Sequence, residues 1–137
     1  MTERIHYSDL WQGIARAVPE RPAVVAGEQT IGWGRLAAEA GAIARHLTAV
    51  RGLQPGDAAA TLLYNRPEFL AFFWACLAVG VAPVAINYRY TAAEVRALLL
   101  DSDSRVFLVP TSFHGIATGA TPTARHAQKN ARNSGRL

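Results

Sequence analysis

The chain has 137 residues, half of them apolar and 18% charged, enough for one domain with a real core and too apolar for an intrinsically disordered chain. Its net charge of +4 comes from one end: residues 3–105 carry ten acids and ten bases, and Arg125, Lys129, Arg132 and Arg136 supply the excess. A basic end on a neutral body is a weak polyanion signal and argues against nucleic-acid binding as the main function. The single cysteine, Cys76, excludes a disulfide framework and a cysteine metal cluster, and its apolar neighbours read it as a small buried hydrophobe.

The opening MTERIHYSDLW has acids and no apolar core of a signal peptide, so a cytoplasmic protein is expected. Leu10, Trp11, Ile14, Ala15 and Val18 fall at helical spacing, and Pro19 ends that helix. PAVVAG (22–27) and QTIGW (29–33) are short β-favouring runs around Gly27-Glu28, a hairpin pattern. In the next segment Leu36, Ala40, Ile43, Leu47 and Val50 place one stripe on one helix face, with Gly52 as its stop. LQPGD puts Pro55 and Gly56 at the centre of a type II turn, and the apolar run 58–64 reads as a buried strand.

Asn65 is the expected cap of a following helix, with Glu68 reaching back and Pro67 in the first turn. That helix carries Phe69, Leu70, Phe72, Phe73, Leu77 and Val79, and Gly80 closes it. VAPVAI (81–86) is strand-like, Thr91 to Glu94 is a capping box, and Val95, Leu98 and Leu99 mark a further helix. Asp101 to Ser104 breaks it, and RVFLVP (105–110) is another buried strand. The uncharged run Phe69–Ile86 matches a membrane span in length, but Gly80 and Pro83 divide it into a helix and a strand. The order of elements predicts an α/β fold of helices layered around a mostly parallel sheet.

The ordered set Ile31–Ala37, Leu53–Asp57, Leu63–Leu70 and Cys76–Glu94, followed by the helix and strand of Leu98–Val109, resembles the AMP-forming adenylating enzymes. Within them it is most similar to fatty-acyl and other carboxylate–CoA ligases. The likeness runs from about Tyr7 to Pro110 and implies the opening part of the family's large N-terminal domain, incomplete relative to it. Residues 1–112 are accordingly expected to form that part, and 113–137 a disordered basic tail unlike the family, with the family's frame lost near Thr111.

The resemblance implies ATP, magnesium and CoA acting on a small-molecule carboxylate through an acyl-adenylate. The family's phosphate loop, metal- and ribose-binding acids and catalytic lysine have no match here, and Lys129 is the sole lysine. ATGATPTAR (117–125) imitates the phosphate loop without its G-T-T-G core. A truncated chain without activity, binding none of these cofactors firmly, is therefore the leading reading.

Arg89 is the candidate cofactor contact, because the resemblance places a basic residue after this strand towards the CoA nucleotide. Its forked donors suit phosphate, and the alternative is an exposed arginine packed on Tyr88 or Tyr90. Asn87 is read as satisfying its own turn, and Tyr64 and Asn65 end a strand near the same edge. His6, His46, His114 and His126 lack partners at ligand spacing, and Asp101 and Asp103 are read as turn residues. Trp33 and Trp74 are expected core anchors. Two alternative functions stay open: a non-catalytic α/β module binding a nucleotide, CoA or a protein partner, and a basic-tailed nucleic-acid-associating protein. An incomplete parallel sheet also leaves an open edge through which copies of the chain can associate.

Overall fold

The computed structural model describes residues 6–121. Helix α1 (Tyr7–Ala17) starts on a capping box in which the His6 N–H donates to Asp9 at 3.1 Å and the His6 ring accepts from the Ser8 N–H. Strands β1 (Pro22–Ala26) and β2 (Gln29–Gly32) form the expected antiparallel hairpin. Helix α2 (Trp33–Arg45) follows without a residue between, because the Trp33 and Gly34 N–H groups donate back to the Arg21 and Pro19 carbonyls at 3.0 and 2.9 Å. Only glycine fits at Gly32, where an added Cβ would lie 2.9 Å from the Pro19 carbonyl oxygen.

A π-turn (His46–Val50) continues α2, and the chain then passes through the turn Gln54–Asp57 into β3 (Ala58–Thr61). That turn is the expected type II form: the Asp57 N–H donates to the Gln54 carbonyl at 3.0 Å, and Gly56 takes φ +96°. Helix α3 (Pro67–Ala78), strand β4 (Ala82–Ala85), helix α4 (Ala92–Asp101) and strand β5 (Ser104–Leu108) complete two parallel crossovers. The sheet order is β4-β3-β5, parallel throughout, with a register shift between Ala58 and Ala59 against β5.

Alternation along β3 explains the layers. Ala59 packs with Leu47, Phe72 and Cys76 on the α2–α3 side, and Ala60 packs with Val95, Leu99 and Ala120 on the other. Both faces of the sheet are therefore covered, which is why its strands read as continuous apolar runs. A further cluster joins α1, the hairpin, α2 and α3 around Trp74, whose ring meets Trp11 and Trp33 edge-on at 5.7 and 6.4 Å. Both expected anchors thus lie in the core, with Trp74 the more deeply buried.

Three expectations need correction. The α3 cap is Arg66 in extended backbone, and its side chain caps nothing. Pro67 forces the preceding residue out of helical geometry, which moves the boundary past Asn65 and leaves Glu68 paired with Arg66 at 3.3 Å. Val50 falls off the predicted stripe and is exposed, because the π-turn inserts an extra residue per turn and breaks the phase. Residues 111–113 form a short 3₁₀ turn and His114–Ala120 forms helix α5, so a tail without structure does not begin at 113. Ala120 is fully buried and Ile116 half-buried against the α4 side of the sheet, so two well-placed apolar residues suffice. The remainder of that tail, including Lys129, lies outside the described residues. No helix among the described residues is long and apolar enough to cross a membrane.

Two measurements check this packing. Replacing Trp74 with alanine removes the ring shared by four elements, and we expect a loss of about 3–5 kcal/mol in urea unfolding. Asp57 tests the sheet entrance: its carboxylate accepts the Gln54 N–H at 2.7 Å and pairs with Arg105 at 2.6 Å. The Gln54 hydrogen bond foremost, with help from Arg105, holds this carboxyl below its ordinary 3.8 against the opposing cost of desolvation. A lowered folded value means the stabilisation is complete above the unfolded value and is lost as pH falls through the folded one. The urea midpoint should therefore drop as pH is taken below about 4. Asp57→Asn should flatten that drop in part, since Glu94, bonded to Thr91, is lowered in the same way.

Candidate functional site

Because β3, β4 and β5 are parallel, the segments leaving their carboxyl ends emerge on one side of the sheet, where open α/β folds bind ligands. Each contributes an aromatic ring. Tyr64 follows β3, Tyr88 follows β4 and Phe113 follows β5. The Tyr64 ring lies 4.7 Å from Tyr88 and 5.0 Å from Phe113, both tilted. The two tyrosines keep 43% and 39% of their surface open, so the cluster presents flat aromatic area to solvent.

Arg89 is exposed at the rim of this cluster, its guanidinium 5.7 Å from the centre of the Tyr88 ring. Its backbone N–H donates to the Asn87 side-chain oxygen at 3.0 Å, and the Tyr90 N–H donates to the Asn87 carbonyl. Asn87 therefore satisfies its own turn, as expected. Arg89 is exposed and takes part in none of the three ion pairs found among the described residues. The arrangement is an aromatic platform with one available guanidinium, suited to a planar ring system bearing phosphate.

The sequence brought Tyr64, Asn87 and Arg89 to this edge correctly. Asn65 stands there too, exposed and without a capping role. Phe113 was missed because it falls at the start of the segment read as structureless; its position five residues after β5 was the available signal. Asp103 turns the chain with φ +48°, as expected, whereas Asp101 is the last residue of α4 and the turn begins after it. His46 lies exposed on the π-turn and accepts a hydrogen bond from Arg51 at 3.3 Å. Burial pushes the Cys76 thiol up to about 12, which makes it inert as a nucleophile at neutral pH.

No group of three or more His, Cys, Asp or Glu side chains among the described residues could hold a metal ion, and none of these residues is a lysine. Of the imitation phosphate loop, residues 117–120 are part of α5. A separate cleft of about 620 Å³ opens between α2 with its π-turn and β5. None of the rings or the guanidinium just described lines it.

A model of the family described as "AMP-binding enzyme" matches residues 11–136. The chain belongs to the AMP-binding enzyme family. The match runs past Pro110, so the expectation that family likeness ends there, and that residues 113–137 are unlike the family, is corrected to residue 136. Among curated proteins, the chain is 35% identical over 99 residues to a 2-succinylbenzoate–CoA ligase of Bacillus subtilis, covering 72% of this chain and 20% of that one. It is 30% identical over 128 residues to a medium/long-chain-fatty-acid–CoA/3-oxocholest-4-en-26-oate–CoA ligase of Mycobacterium tuberculosis, covering 93% of this chain and 23% of that protein. Among solved structures, the N-terminal domain of FACL13 from Mycobacterium tuberculosis superposes with a TM-score of 0.81 at 27% identity, over 88% of this chain and 31% of that one. The chain thus spans about a fifth of the length of the curated relatives it matches.

Proposed function

We propose that this chain is the N-terminal part of the AMP-binding domain of a carboxylate–CoA ligase and that it has no catalysis of its own. In the whole family member, ATP and magnesium would activate a small carboxylate, including fatty acids, as an acyl-adenylate, and CoA would receive the acyl group in the cytoplasm. The observation that carries this reading is the family match from residue 11 to 136 on a chain that spans about a fifth of the length of its curated relatives. Activation of this kind needs positive groups and amides around the leaving pyrophosphate, where negative charge concentrates. The chain's contribution is the sheet edge and its aromatic cluster.

Arg89 is proposed as a contact for the nucleotide part of CoA. The base would stack on the Tyr64–Tyr88 surface and a phosphate would take the guanidinium fork. Without the rest of the domain, the open sheet edge lets copies of the chain associate weakly.

Two experiments separate these parts. The purified chain should give no carboxylate-dependent ATP–pyrophosphate exchange above background; measurable exchange would refute the inactive reading. In a CoA titration followed by amide resonances, residues 87–90 should respond. Arg89→Ala should weaken that response about tenfold, the worth of one charge-assisted hydrogen bond, while Arg89→Lys recovers part of it. Equal responses from all three chains would remove Arg89 from the role.

A further inference from the structure

We propose that the segment from Thr111 to Ala120 positions the ring-and-guanidinium site, with Phe113 as its positioning residue: Phe113 holds the Tyr64 ring in the orientation on which a planar base can stack. The proposal deepens the nucleotide reading above and rests on it. Phe113 acts through Tyr64, whereas in that reading Arg89 meets the phosphate directly.

Tyr64 and Tyr88 are held in different ways. Tyr88 lies in the turn that Asn87 closes on itself, through hydrogen bonds from the Arg89 and Tyr90 N–H groups at 3.0 and 3.1 Å. Tyr64 sits in the irregular stretch between Thr61 and Pro67, with 43% of its surface open. Its ring is wedged between two others: Tyr88 at 4.7 Å, tilted by 56°, and Phe113 at 5.0 Å, tilted by 45°. Aromatic pairs attract through edge and face, so they fix a ring's orientation as well as its place. Without Phe113, Tyr64 keeps one ring neighbour and gains rotamers, which a ligand must then freeze out on binding.

Phe113 can serve as the fixed member because its own place is set from the core side. It is half-buried against the cluster of Ala60, Leu62, Val95, Leu99 and Ala120, on the face of the sheet covered by α4 and α5. Its N–H donates to the Pro110 carbonyl at 3.0 Å, closing the 3₁₀ turn, and α5 continues directly from it. Helix α5 in turn seats closely on α4: a Cβ added at Gly119 would lie 3.2 Å from that of Ala92. Ala92 opens α4, soon after the turn that carries Tyr88 and Arg89. The segment thus braces the site at two points, the Tyr64 ring and the start of the helix that follows Arg89. Core filling alone does not require Phe113 to touch a ring that stands open to solvent.

The test is a CoA titration of the full 137-residue chain, read from the amide resonances of residues 87–90. A second readout, independent of CoA, is the pair of three-bond Hα–Hβ couplings of Tyr64, which report its χ1 rotamers. Phe113→Leu keeps apolar volume in the cluster and removes the ring. It should melt close to the parent, move the Tyr64 couplings towards rotamer averaging, and bind CoA about threefold to tenfold more weakly. Phe113→Tyr keeps the ring and should bind as the parent does. Gly119→Val pushes α5 away from Ala92 and should weaken binding by a similar factor, although it alters no residue of the site. In a Tyr64→Leu background Phe113→Leu should cost nothing further, because its effect runs through a ring already removed. The proposal is overturned if Phe113→Leu binds as the parent does while Arg89→Ala binds weakly, or if the Tyr64 and Phe113 losses simply add. If Arg89→Ala also binds as the parent does, the nucleotide reading is what fails. The positioning role is then decided by the couplings: averaging in Phe113→Leu and Gly119→Val supports it, and parent-like values in both overturn it.

Discussion

Everything in this molecule is arranged around a strand of small residues. β3 reads Ala-Ala-Ala-Thr, and Ala59, Ala60 and Thr61 have no exposed surface. With methyl groups on both faces, helices α2 and α3 approach one side closely while α4 and α5 approach the other. Both neighbouring strands depend on it for their hydrogen bonds, as they do not touch each other. Thr61 is the one polar side chain in this strand, and its hydroxyl donates to the Leu108 carbonyl at 3.2 Å, so burial leaves it satisfied. A larger residue at either alanine would push a whole helical layer outward.

Much of this was legible from residue order. The hairpin, the type II turn at Pro55-Gly56, the Thr91–Glu94 capping box and the alternation of helices with apolar strands each have a local physical cause, and each formed where its residues indicated. What escaped were features whose cause is non-local or competitive. Proline's restriction on Arg66 outcompeted the capping preference of Asn65. The π-turn at His46–Val50 has no residue signature, and it displaced Val50 from an otherwise accurate stripe. Helix α5 looked too polar to fold, yet it needs only Ile116 and Ala120 to meet a surface that the sheet and α4 provide.

The site shows the same division. Tyr64, Asn87 and Arg89 could be placed because strand ends are readable and parallel strands share a carboxyl edge. Their convergence into one cluster with Phe113 could not, since it depends on how three distant turns fold over the sheet. The cleft beside β5 was equally hidden, being formed by α2 overhanging a strand that is far from it in sequence. Cluster and cleft lie at different parts of the sheet and have different chemistry: an aromatic, phosphate-suited rim, and an apolar slot with cationic borders.

The central position of β3 also bears on how the chain acquires its shape. The earliest strand of the parallel sheet is made first and waits longest, because each partner arrives only after a helical crossover. The Thr61 hydroxyl meets its acceptor on β5 across 47 residues of chain. Contacts so distant in sequence form slowly, and a central strand of alanines has little hydrophobic surface with which to hold a partner before the helices dock. The small side chains that permit tight layering in the finished molecule thus make its nucleus depend on the helices, and assembly of this sheet is paced by the arrival of α3 and α4.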